Sequence, residues 1–400
     1  MRSKLVKYGR RLKLDLPKGQ SCFLWGARKT GKSTYLRDHF QNSITYNLLD
    51  TKVRSRLEKA PYLLREEVLA APKEALQFPI IIDEIQKIPE LLDEVHLLIE
   101  EHGLFFLLCG SSARKLKQVA ANLLGGRAWK YQFFPLCYPE IPDFDLLKAL
   151  QNGLIPDHYN AATPDRYLRA YIEDYIREEI QSEALVRNVP SFSRFLDAAA
   201  FSHGEMMSYS NIARDCGVHS KTVKEYVSIL EDTLLGYTIK PYKKKVSRDI
   251  ITATPKFYFF DIGVANHLTK RSVKMLKGPE AGHSFESYIL MELMAYRGLH
   301  EKDISVTYWR TKKGYEVDFV IDDGKLAIEV KLKECVQKAD LKGIIAFKEE
   351  HPEAEAIVVS LDPVPRKMSV ASGQSIMIFP WKIFLDQLWD HTLFSKSGIS

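Results

Sequence analysis

Residues 22–34 read CFLWGARKTGKST, and this stretch predicts the architecture of the first third of the chain. The apolar run at 22–25 predicts a buried β-strand, and the residues after Ser33 predict a helix. Between them lies the spacing Gly-x-x-x-x-Gly-Lys-Ser. Glycines let the backbone curl so that its N–H groups point at phosphate oxygens, and a helix beginning there adds its positive end. The stretch therefore predicts a phosphate-binding loop in an α/β sheet.

The predicted loop carries the groups that a nucleoside triphosphate and Mg²⁺ need. Lys32 supplies a positive charge for the β- and γ-phosphates, and the Ser33 hydroxyl is placed to bind Mg²⁺. The alternative, an ordinary glycine-rich turn, does not explain the strand and helix on either side. The predicted nucleotide-binding residues are Gly26, Ala27, Arg28, Lys29, Thr30, Gly31, Lys32, Ser33 and Thr34.

Two acids follow a second strand-like run about fifty residues later, in FPIIIDEIQKIP. A carboxylate at the carboxyl end of a buried parallel strand faces the ligand crevice of an open α/β sheet. Asp83 is thus predicted to hold the Mg²⁺ shell. Glu84 is predicted to orient and deprotonate the attacking water, a role for a base without a tight partner of its own. The alternative is two acids that merely open the next loop.

Two further residues are candidates for the same chemistry. Ser111 ends the strand-like run LFFLLCG, where its hydroxyl can hydrogen-bond the attacking water or the γ-phosphate. Arg127 follows two glycines in NLLGGRAW and could reach a neighbouring subunit's γ-phosphate as an arginine finger. A surface or interdomain salt bridge explains Arg127 equally well.

Together these motifs resemble the prokaryotic AAA-superfamily ATPases that carry an uncharacterised C-terminal domain. The resemblance rests on 26–33, Asp83-Glu84, GSSARKL at 110–116 and GGR at 125–127. It implies that ATP binds with Mg²⁺ and that the motif residues take the roles given above. It also leaves a homo-oligomer open.

Bulk composition fits an intracellular protein. The 57 basic and 51 acidic residues give a formal charge of +6, which permits DNA binding without requiring it. The five cysteines include no Cys-x-x-Cys pair, as expected in a reducing cytoplasm. No apolar run approaches the roughly 18–20 residues that span a bilayer, and no secretory signal is expected at the N-terminus. The sequence therefore predicts a cytoplasmic protein with no membrane partner.

The middle of the chain predicts a DNA-reading element. A helical pattern covers 165–188, and the segment from Met206 to Lys245 predicts two short helices joined at Gly217, followed by β-prone residues. This order is typical of a winged helix-turn-helix, with Lys221, Thr222 and Lys224 near the start of the second helix. Lys243–Lys245 would lie on or near the wing. Winged helices also serve as interdomain packing, and that alternative stays open.

A hairpin is predicted in EVDFVIDDGKLAIEVK at 316–331. A type I′ turn at Asp323-Gly324 makes paired residue numbers sum to 647, so that Asp318 pairs with Glu329. Like charges directly opposite destabilise a sheet by roughly 0.2–1 kcal/mol. A divalent cation, Mg²⁺ or Mn²⁺, between the carboxylates would remove this cost. Lys331, beside them, would stabilise a developing negative charge or position a water.

Asp-x₁₀-Glu-x-Lys on a hairpin resembles the PD-(D/E)xK nuclease core, with Val317 in place of the proline. The resemblance implies an acid on a preceding helix, and Glu286 in GHSFESYILMELMAYRG is the candidate. This segment also resembles the C-terminal domain of the ATPase family named above. Three interpretations stay open: an active metal-dependent nuclease, a degenerate nuclease fold used for binding, and a solvated, salt-bridged face.

The predicted fold class is α/β. A P-loop AAA-type parallel sheet with helices is followed by a winged helix and a restriction-endonuclease-like α/β domain. The predicted domains are the ATPase domain at 1–160, the helical linker and winged helix-turn-helix at 161–270, and the nuclease-like domain at 271–400. The predicted function is that of a protein that binds and hydrolyses ATP with Mg²⁺, acts on DNA and carries a nuclease-like C-terminal domain. The alternative is a nucleotide-dependent switch or scaffold that binds DNA or protein without cleavage.

Overall fold

The computed structural model describes residues 7–17, 19–111, 114, 128–176, 188–243, 254–370, 374–396 and 399. The chain divides into two compact units. The first comprises residues up to Leu136 together with Ser228–Leu235, and the second comprises Cys137–Val227 and everything from Gly236 onward. Each is described by itself, and the division into domains at residues 160 and 270 stays a prediction.

The first unit is built on a five-stranded parallel sheet. Its strands are β1 (Ser21–Trp25), β2 (Thr45–Asn47), β3 (Ile80–Asp83), β4 (Phe106–Gly110) and β5 (Ala128–Gln132). They lie in the order β2-β3-β4-β1-β5, and all are parallel. The helices are α1 (Lys32–His39), α2 (Thr51–Lys59), α3 (Leu63–Leu69) and α4 (Leu91–His102).

The core of this unit explains why these segments form strands and helices. Strands β1, β3 and β4 are buried along their whole length, as continuous apolar runs in a parallel sheet should be. Helix α4 turns Leu91, Val95 and Leu98 toward Ile82 and Leu108 of the sheet. Strand β4 lies between β1 and β3, so the carboxyl ends of the three strands meet at one edge. That edge holds the phosphate-binding loop, the acid pair and the serine predicted from the sequence.

The second unit contains a mixed eight-stranded sheet. Its strands are β6 (Gly236–Pro241), β7 (Lys256–Phe259), β8 (Val306–Arg310), β9 (Glu316–Ile321), β10 (Leu326–Lys331), β11 (Glu355–Ser360), β12 (Arg366–Ser369) and β13 (Ser375–Pro380). They lie in the order β12-β13-β11-β10-β9-β8-β6-β7. The helices that follow the first unit's sheet in the chain are α5 (Leu146–Asn152), α6 (Pro156–Tyr159), α7 (Pro164–Ala170), α8 (Val189–Phe201), α9 (Tyr209–Cys216), α10 (Ser220–Asp232), α11 (Ile262–Thr269), α12 (Pro279–Leu299), α13 (Lys342–Glu350), α14 (Trp381–Trp389) and α15 (Thr392–Lys396). The last turn of α10, from Ser228, belongs to the first unit.

The hairpin register agrees with the prediction. Ile321 pairs with Leu326 and Phe319 with Ile328, so the numbers of the paired residues sum to 647. Asp323 (φ 54°, ψ 33°) and Gly324 (φ 92°) have the dihedral angles of a type I′ turn, and Lys325 N–H donates to Asp322 O. The ladder itself begins only at Ile321, because Asp322 also adopts a positive φ of 49°.

The predicted helix pair also forms, with bounds close to those expected. Helix α9 ends at Gly217, whose φ of 65° fits a left-handed C-cap, and α10 follows. Strands β6 and β7 then pair antiparallel. Lys244 and Lys245 of the predicted wing lie outside the described residues. In the helix predicted at 165–188, the described residues form α7 and a π-helical stretch, Tyr171–Ile176. Residues 177–187 lie outside the described ranges.

The membrane prediction is tested by the helices. In the part of the chain that the structure describes, no helix combines the length and the apolar composition that a bilayer crossing requires.

Candidate functional site

The phosphate-binding loop runs from β1 into α1 and depends on two glycines. Gly31, at the N-cap of α1, has a φ of 103°, a conformation that side chains disfavour. A Cβ on Gly26 would lie 2.5 Å from the Phe133 carbonyl oxygen, so no side chain fits there. Lys29, between them, is left-handed with a φ of 58°. The loop therefore has the tight curl that points backbone N–H groups inward.

The side chains of the loop are arranged around Lys32. Its buried ammonium donates to Gly26 O at 2.5 Å and to Ala27 O at 3.0 Å, while the Thr30 hydroxyl donates to Ala27 O at 2.7 Å. Thr34 lies exposed on α1, where its hydroxyl accepts from Arg37 at 3.4 Å. Lys32 thus lies against the carbonyls of the loop, at the place where it can exchange these oxygens for those of a phosphate.

Ser33 and Asp83 meet as predicted for a magnesium site. The Ser33 hydroxyl donates to Asp83 Oδ2 at 2.8 Å. Asp83 Oδ1 is buried and has no hydrogen-bond partner among the described residues. A buried carboxylate oxygen without a partner is costly unless a cation or a water ligand completes it. Hydroxyl and carboxylate oxygens are ligands that suit Mg²⁺, so the residues present fit this ion.

Glu84 lies beside this pair but is less free than predicted. It adopts a left-handed conformation (φ 63°, ψ 40°), and its carboxylate Oε2 accepts from Gln86 Nε2 at 2.6 Å. The same Gln86 nitrogen lies 3.0 Å from the Ser111 hydroxyl oxygen. Arg28 of the loop reaches within 3.9 Å of Glu84 Oε2. The expectation of a base without a tight partner is therefore wrong for this structure, because the Gln86 amide holds the carboxylate.

Sequence reasoning missed two residues at this edge. Gln86 stands only two positions after Glu84, but its side chain could not be assigned without the 3₁₀ turn Ile85–Lys87. Arg10 belongs to no motif identified in the sequence. Its guanidinium instead donates to Thr30 O at 2.6 Å and packs 4.2 Å from the centre of the Phe133 ring. Arg127, the predicted arginine finger, lies outside the described residues and stays a prediction.

The acidic hairpin of the second unit is buried rather than wet. Asp318 is 8% exposed and Glu329 is 5% exposed, so the interpretation as a solvated face is wrong. Val330 N–H donates to Asp318 Oδ2 at 2.7 Å, and the Lys331 ammonium lies 2.6 Å from Glu329 Oε1. Glu329 Oε2 is buried without a hydrogen-bond partner in the described part of the chain.

A second set of polar and charged residues lies beside the hairpin, and the sequence analysis did not identify its two members on β7, Lys256 and Tyr258. The Lys256 ammonium of β7 is buried between Glu316 Oε1, at 2.5 Å, and Glu286 Oε1 of α12, at 3.6 Å. Tyr258 O–H also donates to Glu286, at 2.7 Å, and Arg310 lies 2.9 Å from Glu316. Lys256 of β7 thus pairs with both the acid predicted on the helix and the first acid of the hairpin, and Tyr258 adds a hydrogen bond to the former.

Burial sets the proton affinities in this cluster. It raises the pKa of Asp318, and the negative charge of Glu286 raises it further. Burial and then the charge of Asp318 raise the pKa of Glu329. For Lys256 burial acts to lower the pKa, but the surrounding acids, Tyr258 and Glu286 first, raise it well above the ordinary value. Lys256 is therefore a permanent cation, whereas the two hairpin carboxyls resist ionisation.

The side chains around the hairpin provide few ligands for the predicted metal ion. Within the described ranges, no three His, Cys, Asp or Glu side chains are grouped in a way that could hold a metal ion. Asp318 and Glu329 alone would have to be completed by water. The orphaned Glu329 Oε2 is compatible with such a ligand, but the neighbouring cations compete with it.

Three protein-family models match successive parts of the chain. An AAA domain matches residues 18–142, a domain of unknown function (DUF8612) matches 143–274, and a second domain of unknown function (DUF4143) matches 281–381. The comparison with curated proteins gave no match.

Among solved structures, the Orc1 protein of Aeropyrum pernix in complex with DNA is similar at a TM-score of 0.26 and 14% identity, covering 63% of this chain and 86% of that one. A likeness at this score carries no argument about fold or function. The AAA match is different, because it spans the phosphate-binding loop, Asp83 and Ser111. Residues 18–142 are therefore similar to an AAA domain, and this stretch carries the P-loop.

Proposed function

We propose that the protein hydrolyses ATP with Mg²⁺ and uses the nucleotide state to control an action on DNA. The observation that carries the first part is the pair of Ser33 and Asp83, whose orphaned Oδ1 suits the water shell of a bound ion. Bound Mg²⁺ would supply positive charge for the phosphate oxygens. Lys32 binds the β- and γ-phosphates once it leaves Gly26 O and Ala27 O.

The residues at the ends of β3 and β4 then act on the attacking water. Glu84 accepts its proton, and Ser111 orients it from the neighbouring strand end. The new P–O bond forms as the bond from the γ-phosphorus to the bridging oxygen breaks, which leaves ADP and phosphate. Measured ATP turnover that depends on both Mg²⁺ and Lys32 tests this step, and a protein without any turnover would refute it.

The proposed contact with DNA is the start of α10. Lys221 and Lys224 are exposed there, while Val223 faces the core, as on a helix that presents one basic face. This arrangement supports the winged helix-turn-helix interpretation, with β6 and β7 after the helices. ATP turnover measured with and without duplex DNA tests whether the two activities are linked. Turnover that ignores DNA at every salt concentration would refute the link.

For the C-terminal part we favour an endonuclease-like domain that binds without cleaving, as part of a nucleotide-dependent switch. The supporting observation is Lys256, which lies against Glu286 and Glu316 where a nuclease would need its acids free for a metal. The test is incubation of the full chain with plasmid, ATP and Mg²⁺ or Mn²⁺, beside an Asp318→Ala control. Cleavage by the parent that the control lacks would refute this interpretation.

A second candidate, metal-dependent cleavage, is favoured by Glu329 alone. Its Oε2 is buried without a partner in the described residues, and Asp318 lies on the adjacent strand β9, next to the last paired residue, Phe319. In this interpretation Mg²⁺ or Mn²⁺ binds between the two carboxylates and Lys331 assists. Calorimetric titration of the full chain with Mn²⁺ in the absence of nucleotide separates the candidates. Heat that disappears in Asp318→Ala supports cleavage, and no heat supports the switch.

The remaining partner predictions join this proposal. A homo-oligomer and the arginine-finger role of Arg127 both require a neighbouring subunit, so the mass of the ATP-bound Glu84→Gln protein in solution tests them together. A cytoplasmic location is proposed with them.

A further inference from the structure

Gln86 connects two candidate catalytic groups that come from different strands. One amide nitrogen donates to Glu84 Oε2 at 2.6 Å and to the Ser111 hydroxyl oxygen at 3.0 Å. Glu84 follows β3 and Ser111 follows β4, so this bridge connects groups at the ends of two different strands. A neutral amide that donates to a carboxylate makes a charge-assisted bond, which is stronger and more directional than a bond between neutral groups.

The surroundings of Gln86 indicate a specific fit. Gln86 is 2% exposed, and its Oε1 has no hydrogen-bond partner among the described residues. A Cβ on Gly110 would lie 2.4 Å from that oxygen, so glycine at the end of β4 leaves the space that the amide occupies. Glu84 also needs its left-handed backbone to turn toward the amide. Burying an unsatisfied oxygen and straining a backbone both cost stability, and such costs concentrate at functional sites.

We propose that Gln86 is a positioning residue of the ATPase site, which fixes the Glu84 carboxylate and the Ser111 hydroxyl relative to each other. The proposal rests on the ATP hydrolysis put forward above. Gln86 does not itself receive the proton or touch the phosphates. It restricts the rotation of the Glu84 carboxylate, so that the oxygen that receives the water's proton is held in one direction while Ser111 holds the water.

This arrangement also explains why Gln86 is an amide and not an acid. Charged groups lie near Glu84. Arg28 is 3.9 Å from its Oε2. Asp83 and Lys32, like Glu84, are close enough to the buried Cys109 thiol to influence its pKa. A carboxylate at position 86 would repel the Glu84 carboxylate and would have no N–H to donate, whereas the amide donates to both Glu84 and Ser111.

The experiment compares Gln86→Leu and Gln86→Glu with the parent, and Gln77→Leu serves as a control at an exposed glutamine of the same unit. Gln86→Leu should bind a nonhydrolysable ATP analogue within twofold of the parent but turn over at least tenfold more slowly. Gln86→Glu, which has no N–H to donate to Glu84 or Ser111, should also turn over at least tenfold more slowly. Gln77→Leu should match the parent in both measurements.

The outcomes separate this inference from the function on which it rests. If the parent hydrolyses ATP and both Gln86 variants keep its rate, positioning by Gln86 is wrong and the ATPase proposal stands. If Gln86→Leu loses turnover only in proportion to lost nucleotide binding, the role is structural and the inference is likewise wrong. A parent without turnover refutes both. Should Gln86→Leu fail to fold, the turnover of Gln86→Glu, compared with its binding of the ATP analogue, decides alone, because this variant keeps the shape of the side chain.

Discussion

Replacing Lys256 by methionine tests how much the second unit depends on its buried cation. Methionine keeps an unbranched side chain of similar length and removes only the charge. In the parent the ammonium lies 2.5 Å from Glu316 and 3.6 Å from Glu286, and the Lys256 side chain is 3% exposed. In the variant both carboxylates lose this partner while they stay close to each other and to Asp318.

The expected cost follows from what each acid retains. Removing one member of a buried ion pair costs about 3–5 kcal/mol, because the other charge stays buried without compensation. Glu316 keeps Arg310 and is 25% exposed in its side chain, and Glu286 keeps the Tyr258 hydroxyl. Because both acids keep these contacts, we expect the free energy of unfolding to fall by about 3 kcal/mol, near the lower end of that range. For a unit of this size that corresponds to a melting temperature lower by roughly 6–10 °C.

The pKa of Lys256 gives the prediction its sign, because, despite burial, the surrounding charges raise it well above its ordinary value. A cation with a raised folded pKa stabilises the fold at every pH below its unfolded pKa, so the deficit of the methionine variant should be full at pH 8. Thermal unfolding at pH 8 measures it, with Lys240→Met as the exposed control on the same sheet. A deficit under about 2 °C would show that the ion pair does not carry this stability.

Three further predictions follow from the same structure. Lys32→Ala should abolish ATP binding in calorimetry. Glu84→Gln should bind ATP normally but hydrolyse it at least about 100-fold more slowly. Turnover of Glu84→Gln at the parental rate would contradict the role of Glu84 as the base. Asp318→Asn should raise the melting temperature by about 2–6 °C at pH 8 and less at pH 5, because burial disfavours the ionised carboxyl; a lower melting temperature at pH 8 would show that the charge stabilises the fold. The double variant Lys221→Ala, Lys224→Ala should flatten the log–log salt dependence of DNA binding in anisotropy titrations by about 2, and an unchanged slope would place the DNA contact elsewhere.

Features set by neighbours in the sequence could be predicted. The curl at 26–33 needs only its own glycines and the strand and helix beside it, so the loop appears where the spacing put it. The hairpin register follows from one Asp-Gly turn and the alternation of side chains, and it agrees at the three pairs from Ile321–Leu326 to Phe319–Ile328. In both cases the determining contacts lie within about sixteen residues of chain, where sequence patterns are informative.

Features set by distant segments could not be predicted in this way. Lys256 is sixty residues from Glu316 in sequence, and no local pattern reports that β7 joins the same sheet through β6 and β8. Arg10 meets Phe134 O across an even longer separation. Gln86 is local, but its bridge depends on the strand order that sets β4 beside β3. In each case the missing information is which strands become neighbours.

The strand neighbours also determine how the hairpin acids must be studied. Glu286, Glu316, Asp318 and Glu329 all lie in the segment matched by the second domain of unknown function, at 281–381. Lys256 and Tyr258 lie in the segment matched by the first, at 143–274. A fragment that starts near residue 280 therefore keeps the acids and loses their main internal cation. Such a fragment should attract Mn²⁺ simply because its negative charge is uncompensated, so metal binding is informative only when the full chain is titrated.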